Sequence, residues 1–158
     1  VLKGLFKRAL LYRLLTNLDV LISKAKLSHK EVSSRTGRKG NWINDAYNQS
    51  EDIQISSLAK IFSVINTEID LNGYSLSAVF DDKVLDIARV ISNLSDEEEN
   101  SAQIAQFVSS EEELLIDLLG DWGSLESKRK LNKEELSYFR EIKKLINQQA
   151  SKEDSPDA

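Results

Sequence analysis

Cysteine is absent from this chain of 158 residues, and His29 is its only histidine. Without cysteine there is no disulfide framework, thiolate metal site or thiol nucleophile. With a single histidine, most metal sites and histidine-based catalytic schemes fall away as well. Proline occurs once, at position 156, and glycine six times, so helix breakers are scarce. Long apolar runs are also missing. Between Arg8 and Arg13 only Ala9-Leu10-Leu11-Tyr12 is uninterrupted, short of the roughly 7–15 residues of a signal-peptide core. Nothing approaches the roughly 18 apolar residues of a membrane span. No glycine-rich phosphate loop, nucleophile elbow or two-histidine metal pair is present. These absences set the expectation of a soluble, non-exported, cytoplasmic protein with no membrane partner, which is not an enzyme and needs no cofactor or metal.

The net charge of −5 averages two unlike stretches. Residues 1–50 carry ten Lys and Arg against three Asp and Glu, a net +7. The remainder carries eleven against twenty-three, a net −12. A basic N-terminal half joined to an acidic C-terminal half suggests a polyanion-binding head on a solvating, self-associating tail.

Apolar residues recur at three- and four-residue spacings throughout: Leu14, Leu18, Leu21 and Ile22; Leu58, Ile61, Phe62 and Ile65; Leu136, Phe139, Ile142 and Ile146. The pattern predicts an all-α fold, with at most a short strand near residues 74–79. Asn72-Gly73 is a turn signal and Asp81-Asp82 a helix end or loop. Residues 83–94 read as an amphipathic helix. Ser95 followed by four acids, and Ser110 followed by three, each read as a helix start with serine as cap and acids in the first turn. Gly120 and Gly123 flank Asp121-Trp122 and are expected to break the helix containing Leu114–Leu119. Asn132 caps a last helix, from Lys133 to about Gln149, and a disordered polar tail is expected over 151–158.

The informative run is 27–49. Two short helices crossing steeply need a small residue where they touch, and Ser33 supplies it. Their turn needs a residue tolerant of positive φ, which Gly37 provides. Val32, Ile43 and Ala46 are placed to face inward, and Ser28 to cap the first helix. Leu27-Ser28, Gly37, Ile43 and Ile55-Ser56-Ser57-Leu58-Ala59-Lys60-Ile61 fall in the register of the lambda-repressor-like helix-turn-helix regulators of phages, plasmids and bacteria. The resemblance covers residues 17–71 without a gap. Arg38, Ile53 and Tyr47 depart from the Val, Pro and Glu common there.

That resemblance implies a helix-turn-helix bundle over 17–80, preceded at 1–16 by an extra helix or an extension of the first. It also implies sequence-specific binding of double-stranded operator DNA, most simply as a repressor of a phage, plasmid or mobile-element operon. In this fold the start of the second helix of the pair enters the major groove. The outward residues Lys39, Gly40, Asn41, Trp42, Asn44 and Asp45 are therefore the base-reading candidates, since Asn pairs bidentately with adenine and Gly40 admits close backbone approach. Trp42 has packing between helices as its alternative role. Phosphate contacts are expected from Ser28, His29, Lys30, Arg35, Arg38, Asn48, Ser56 and Ser57, which position the protein without reading sequence. His29 occupies a family position commonly held by a DNA-contacting Gln, at a helix start where free amides point.

Residues 1–16 admit three readings: a helix packing Leu2, Leu5, Phe6 and Leu10 on the domain or on a partner chain, a phosphate-touching arm through Lys3, Lys7 and Arg8, or a membrane-surface helix. Residues 81–150 read as a helical oligomerisation module. Leu114, Leu115, Leu118, Leu119, Leu136, Phe139, Ile142 and Ile146 have no evident core within it, so they are assigned to a second copy, giving a homodimer or tetramer on two half-sites. An inducing or antirepressor protein is the expected route of control. The rival reading is an antitoxin, antirepressor or other interaction protein built on the same scaffold.

Overall fold

Helix is the outcome expected of a chain with few breakers and three- to four-residue apolar spacing, and the computed structural model, which describes residues 1–49, 52–69 and 75–153, contains no strand among them. Its helices are α1 (Leu2–Lys24), α2 (His29–Arg35), α3 (Trp42–Gln49), α4 (Ile55–Asn66), α5 (Ser75–Val79), α6 (Asp82–Asn93), α7 (Ser101–Ser110), α8 (Glu112–Ser127) and α9 (Lys133–Glu153). None is long and apolar enough to cross a membrane. The chain divides into two compact units, one of residues 1–9 with 86–158, the other of residues 10–85.

The unit formed by 10–85 buries Leu18, Leu21, Ile22 and Ala25 of α1 with Val32 of α2, Ile43 of α3, Ile61, Val64 and Ile65 of α4, and Val79. α2 packs against both α3 and α4. Asn17 fixes one corner: its Nδ2 donates to the Val79 carbonyl at 3.0 Å and to Asp81 Oδ2 at 3.2 Å. Asp81 also accepts the Val84 amide at 3.0 Å and so caps α6. The short strand expected near residues 74–79 gives way to helix over Ser75–Val79, where the Phe80 amide donates to the Leu76 carbonyl at 2.8 Å; residue 74 lies outside the described residues. The Asn72-Gly73 turn lies outside the described residues.

The other unit is discontinuous in sequence. Leu2, Leu5, Phe6 and Ala9, at the start of α1, are buried with Ile104, Val108, Trp122 and Leu125 in one core. Phe6 meets Phe107 and Trp122 edge to face at 5.6 and 5.4 Å, and the Trp122 indole donates to the Leu5 carbonyl at 3.0 Å. This placement corrects the oligomerisation assignment. Leu114, Leu115, Leu118, Phe139, Ile142 and Ile146 are all buried within the single chain, and Leu119 and Leu136 are half-buried. The core they seemed to lack is built by α7, α8 and α9 packing on one another, and residues 1–9, a hundred positions away in sequence, join it through Leu5 and Phe6. The phosphate arm fails for the same reason: Leu2–Ala9 is helix with a buried face, Lys3 pairs with Asp96 at 3.1 Å, and Arg8 pairs with the buried Glu135 at 3.2 Å.

Three further expectations are corrected here. Ser95 starts no helix: its hydroxyl accepts the Glu97 amide in a local turn, and Asn100 caps α7 through a reciprocal box with Gln103. Ser110 closes α7, and α8 starts at Glu112 with Glu112 and Glu113 in its first turn. Gly120 and Gly123 do not break α8, because Leu118, Trp122 and Leu125 hold its inner face in the core. Asn132 does cap α9, exchanging bonds with Glu135 at 2.8 and 3.0 Å. The helix continues through 151–153, leaving 154–158 of the expected tail outside the described residues.

Candidate nucleic-acid interface

The α2–α3 connection is built on Ser33. Its side chain is fully buried between the helices, and its Oγ accepts the Ile43 amide at 3.0 Å. That amide is one of the unpaired donors at the start of α3, so α2 caps α3. The Ser33 carbonyl accepts the Arg38 amide at 2.9 Å, while Gly37 donates to the Ser34 carbonyl at 3.0 Å with φ of 80°. These two bonds close α2 with a left-handed residue, and Gly37 adopts that backbone without a Cβ penalty. At the other end, Ser28 caps α2 by accepting the Glu31 amide at 3.0 Å.

α3 begins at Trp42, so Lys39, Gly40 and Asn41 belong to the turn rather than to the helix. Turn and helices together line an open depression on the surface. Ser28, His29 and Lys30 contribute from the start of α2, with Gly40, Asn41 and Asn44 from the turn and α3. All six were predicted site residues. The Lys30 stem runs over Gly40, where an added Cβ would come within 3.1 Å of Lys30 Cγ. Gly40 thus holds the turn close to α2.

The predicted residues differ in how free they are. Lys30, Lys39, Asn44, Asn48 and Ser56 are exposed, and none of their side chains has a hydrogen-bond or ion-pair partner among the described residues. Asn41 donates to Asp45 Oδ2 at 2.8 Å, so the two act as a unit at the exposed edge of α3. Trp42 is half-buried against the core, with the Arg38 guanidinium 4.8 Å from its ring centre. Arg38 also donates to Ser57 Oγ at 2.9 Å. Ser57 is 3% exposed on the inner face of α4, which removes it from the surface and corrects its assignment as a phosphate contact. Arg35 is exposed but held by Glu68 at 3.0 Å and Thr67 at 2.6 Å. His29 is half-buried, its Nε2 against Asp19 Oδ1 and its ring beside Tyr47.

Sequence reasoning missed the Asp19, Glu68 and Thr67 partners, which lie ten to thirty-three positions from the residues they hold. It also missed that the hydroxyl of Ser33, and not only its size, is used.

The electrostatics are local. Residues 24–45 carry six Lys and Arg against Glu31 and Asp45, but the unit of residues 10–85 has nine basic and nine acidic residues, a net charge of zero. Lys3, Lys7 and Arg8, which made the N-terminal half look strongly basic, fold with the other unit.

No protein family, curated protein or solved structure matches the chain.

Proposed function

We propose that the protein is a sequence-specific DNA-binding transcriptional regulator of the lambda-repressor-like kind, with α3 and the preceding turn as its reading surface. One observation carries the reading: Ser28, His29, Lys30, Gly40, Asn41 and Asn44, chosen from sequence as DNA contacts, line a single open depression. A helix start presented at such a surface suits the major groove, and Asn44, exposed in the first turn of α3, is placed to pair with a base edge. Asn41 and Asp45, bonded to each other, offer a donor and an acceptor to neighbouring bases. Lys30 and Lys39 contribute phosphate contacts, which make binding salt-dependent.

Selection of bound fragments from genomic DNA, followed by gel-shift titration, tests this reading. Asn44→Ala is expected to cost roughly 1–3 kcal/mol at its cognate base and to relax preference there. Lys39→Ala should weaken all sequences alike and lower the salt slope by about 1. If Asn41→Ala and Asn44→Ala both left specific binding unchanged, α3 would not be the reading helix.

The neutral charge of the 10–85 unit favours a second reading, an antitoxin, antirepressor or other interaction module that uses the same helix pair on a protein. It predicts a protein partner whose binding is weakened by Asn44→Ala, with no DNA fragment enriched in the selection.

A further inference from the structure

The unit of residues 10–85 also carries an apolar recess of about 170 Å³, apart from the α2–α3 depression. Leu11, Leu14, Leu15 and Leu18 line one side as a single stripe of α1, at the spacing that puts side chains on one helix face. Leu58 of α4, Val79 and Phe80 face them. The recess is framed rather than loose: the two hydrogen bonds from Asn17 hold Val79 and Asp81 at a fixed distance from α1. Ile55, the first residue of α4, stands at its lip with 88% of its surface exposed, an apolar side chain left in solvent beside an apolar hollow. Among the described residues of the lining Asp52 alone is charged, and its exposed carboxylate has no partner among them.

We infer that this recess is a binding site for a small amphiphile with an apolar body and a cationic, amine-type head. The size sets the body: apolar cavities of about 150 Å³ accept a benzene ring. The unpaired Asp52 carboxylate sets the head, since an ammonium beside it gains a partner that a neutral or anionic group does not. Pre-formed pockets of this kind, apolar with one orienting polar group, are the usual form of small-molecule sites. The ring lies against Leu14, Leu58 and Phe80, with its amine at Asp52.

The test is NMR titration of the full-length chain with three probes of one shape: phenethylamine, 2-phenylethanol and 3-phenylpropionate. Saturable shifts centred on Leu14, Leu58 and Val79 are expected, with phenethylamine binding about fivefold or more tighter than the carboxylate, the scale of a partly exposed ion pair. Asp52→Asn should erase that preference while leaving binding of the alcohol in place. Leu14→Trp should fill the recess and abolish all three. Should that variant not fold, Asp52→Asn, at an exposed position, still decides the matter. The inference is overturned by an absence of saturable binding, or by equal binding of the three probes that Asp52→Asn leaves unchanged. It is equally overturned if sedimentation shows a dimer that Ile55→Asp dissociates, for then a second copy covers the recess.

Discussion

Among the described residues, three helix ends close on a residue with left-handed backbone, and one of the three is glycine. After α1, Lys26 has φ of 58°, its amide donating to the Ser23 carbonyl and the Leu27 amide to Ile22. After α8, Arg129 has φ of 56°, with the equivalent bonds to Glu126 and from Lys130 to Leu125. Gly37 does the same after α2. A side chain in this conformation costs about 1 kcal/mol, which glycine avoids. Lys26→Gly and Arg129→Gly are therefore expected to stabilise the chain by about 0.5–1 kcal/mol each, read from urea unfolding. Gly37→Ala should destabilise by about 1 kcal/mol through backbone strain alone, because an added Cβ there meets nothing within 4 Å. Tyr138 supplies a test of a different kind. Burial, and then the charges of Glu99 and Glu98, hold its phenol above the ordinary value of 10. The folded chain thus prefers the neutral phenol, a contribution complete below pH 10 and lost as pH rises through the folded value. An absorbance titration at alkaline pH should show a late phenolate transition that Tyr138→Phe removes.

The helices that could be read from sequence are those whose ends carry local signals. Ser28 and Gly37 bound α2, and Asn132 starts α9, through bonds between residues three to five apart, so the pattern survives in the primary sequence. Where local signals compete, tertiary packing chose between them. Ser95 and Asn100 are each followed at the third position by a residue able to return the bond, Glu98 and Gln103, and Asn100 became the cap of α7, the helix that carries Ile104 and Val108 into the core. The candidate site was legible in the same uneven way. Its exposed members were found by helical register, whereas the burial of Ser57 and the Asp19 partner of His29 depend on contacts that no local spacing encodes. α8 was misread because two glycines lower helix propensity by about 1 kcal/mol each relative to alanine, while the core contacts of Leu118, Trp122 and Leu125 outweigh that deficit. Neither glycine has an atom within 4 Å of an added Cβ. Gly120→Ala and Gly123→Ala should each stabilise by about 0.5–1 kcal/mol in thermal unfolding. Ser33→Ala should have the opposite sign. It leaves the buried Ile43 amide without its acceptor, at a cost of about 1–3 kcal/mol, and loosens the start of α3.

At the scale of the whole molecule, the order of residues along the chain misleads about which of them share a core. A linear division put residues 1–16 with the segment that follows and left the leucines of 114–146 without neighbours; the fold instead joins 1–9 to 86–158. Each of Leu2, Leu5 and Phe6 is buried, and full burial of such a side chain contributes about 1.5–3 kcal/mol. Together they rival the whole stability of an ordinary domain, about 5–15 kcal/mol. Removing residues 1–9 should therefore unfold the unit that contains Trp122, whose indole would lose both the Leu5 carbonyl and the Phe6 ring. The fluorescence of that tryptophan should shift to the red, with Trp42→Phe used to isolate its signal. Core and interface roles for the same leucines separate on concentration dependence. If Leu118 and Ile142 are core, Leu118→Ala and Ile142→Ala lower the melting temperature by an amount independent of protein concentration, at about 2–5 kcal/mol each. If they join two copies, the wild-type melting temperature rises with concentration and the variants lose that dependence. Their burial of 0% exposure within one chain predicts the first result. A melting temperature of the intact protein that climbs over a hundredfold range of concentration, and flattens in Leu118→Ala, would restore the interface.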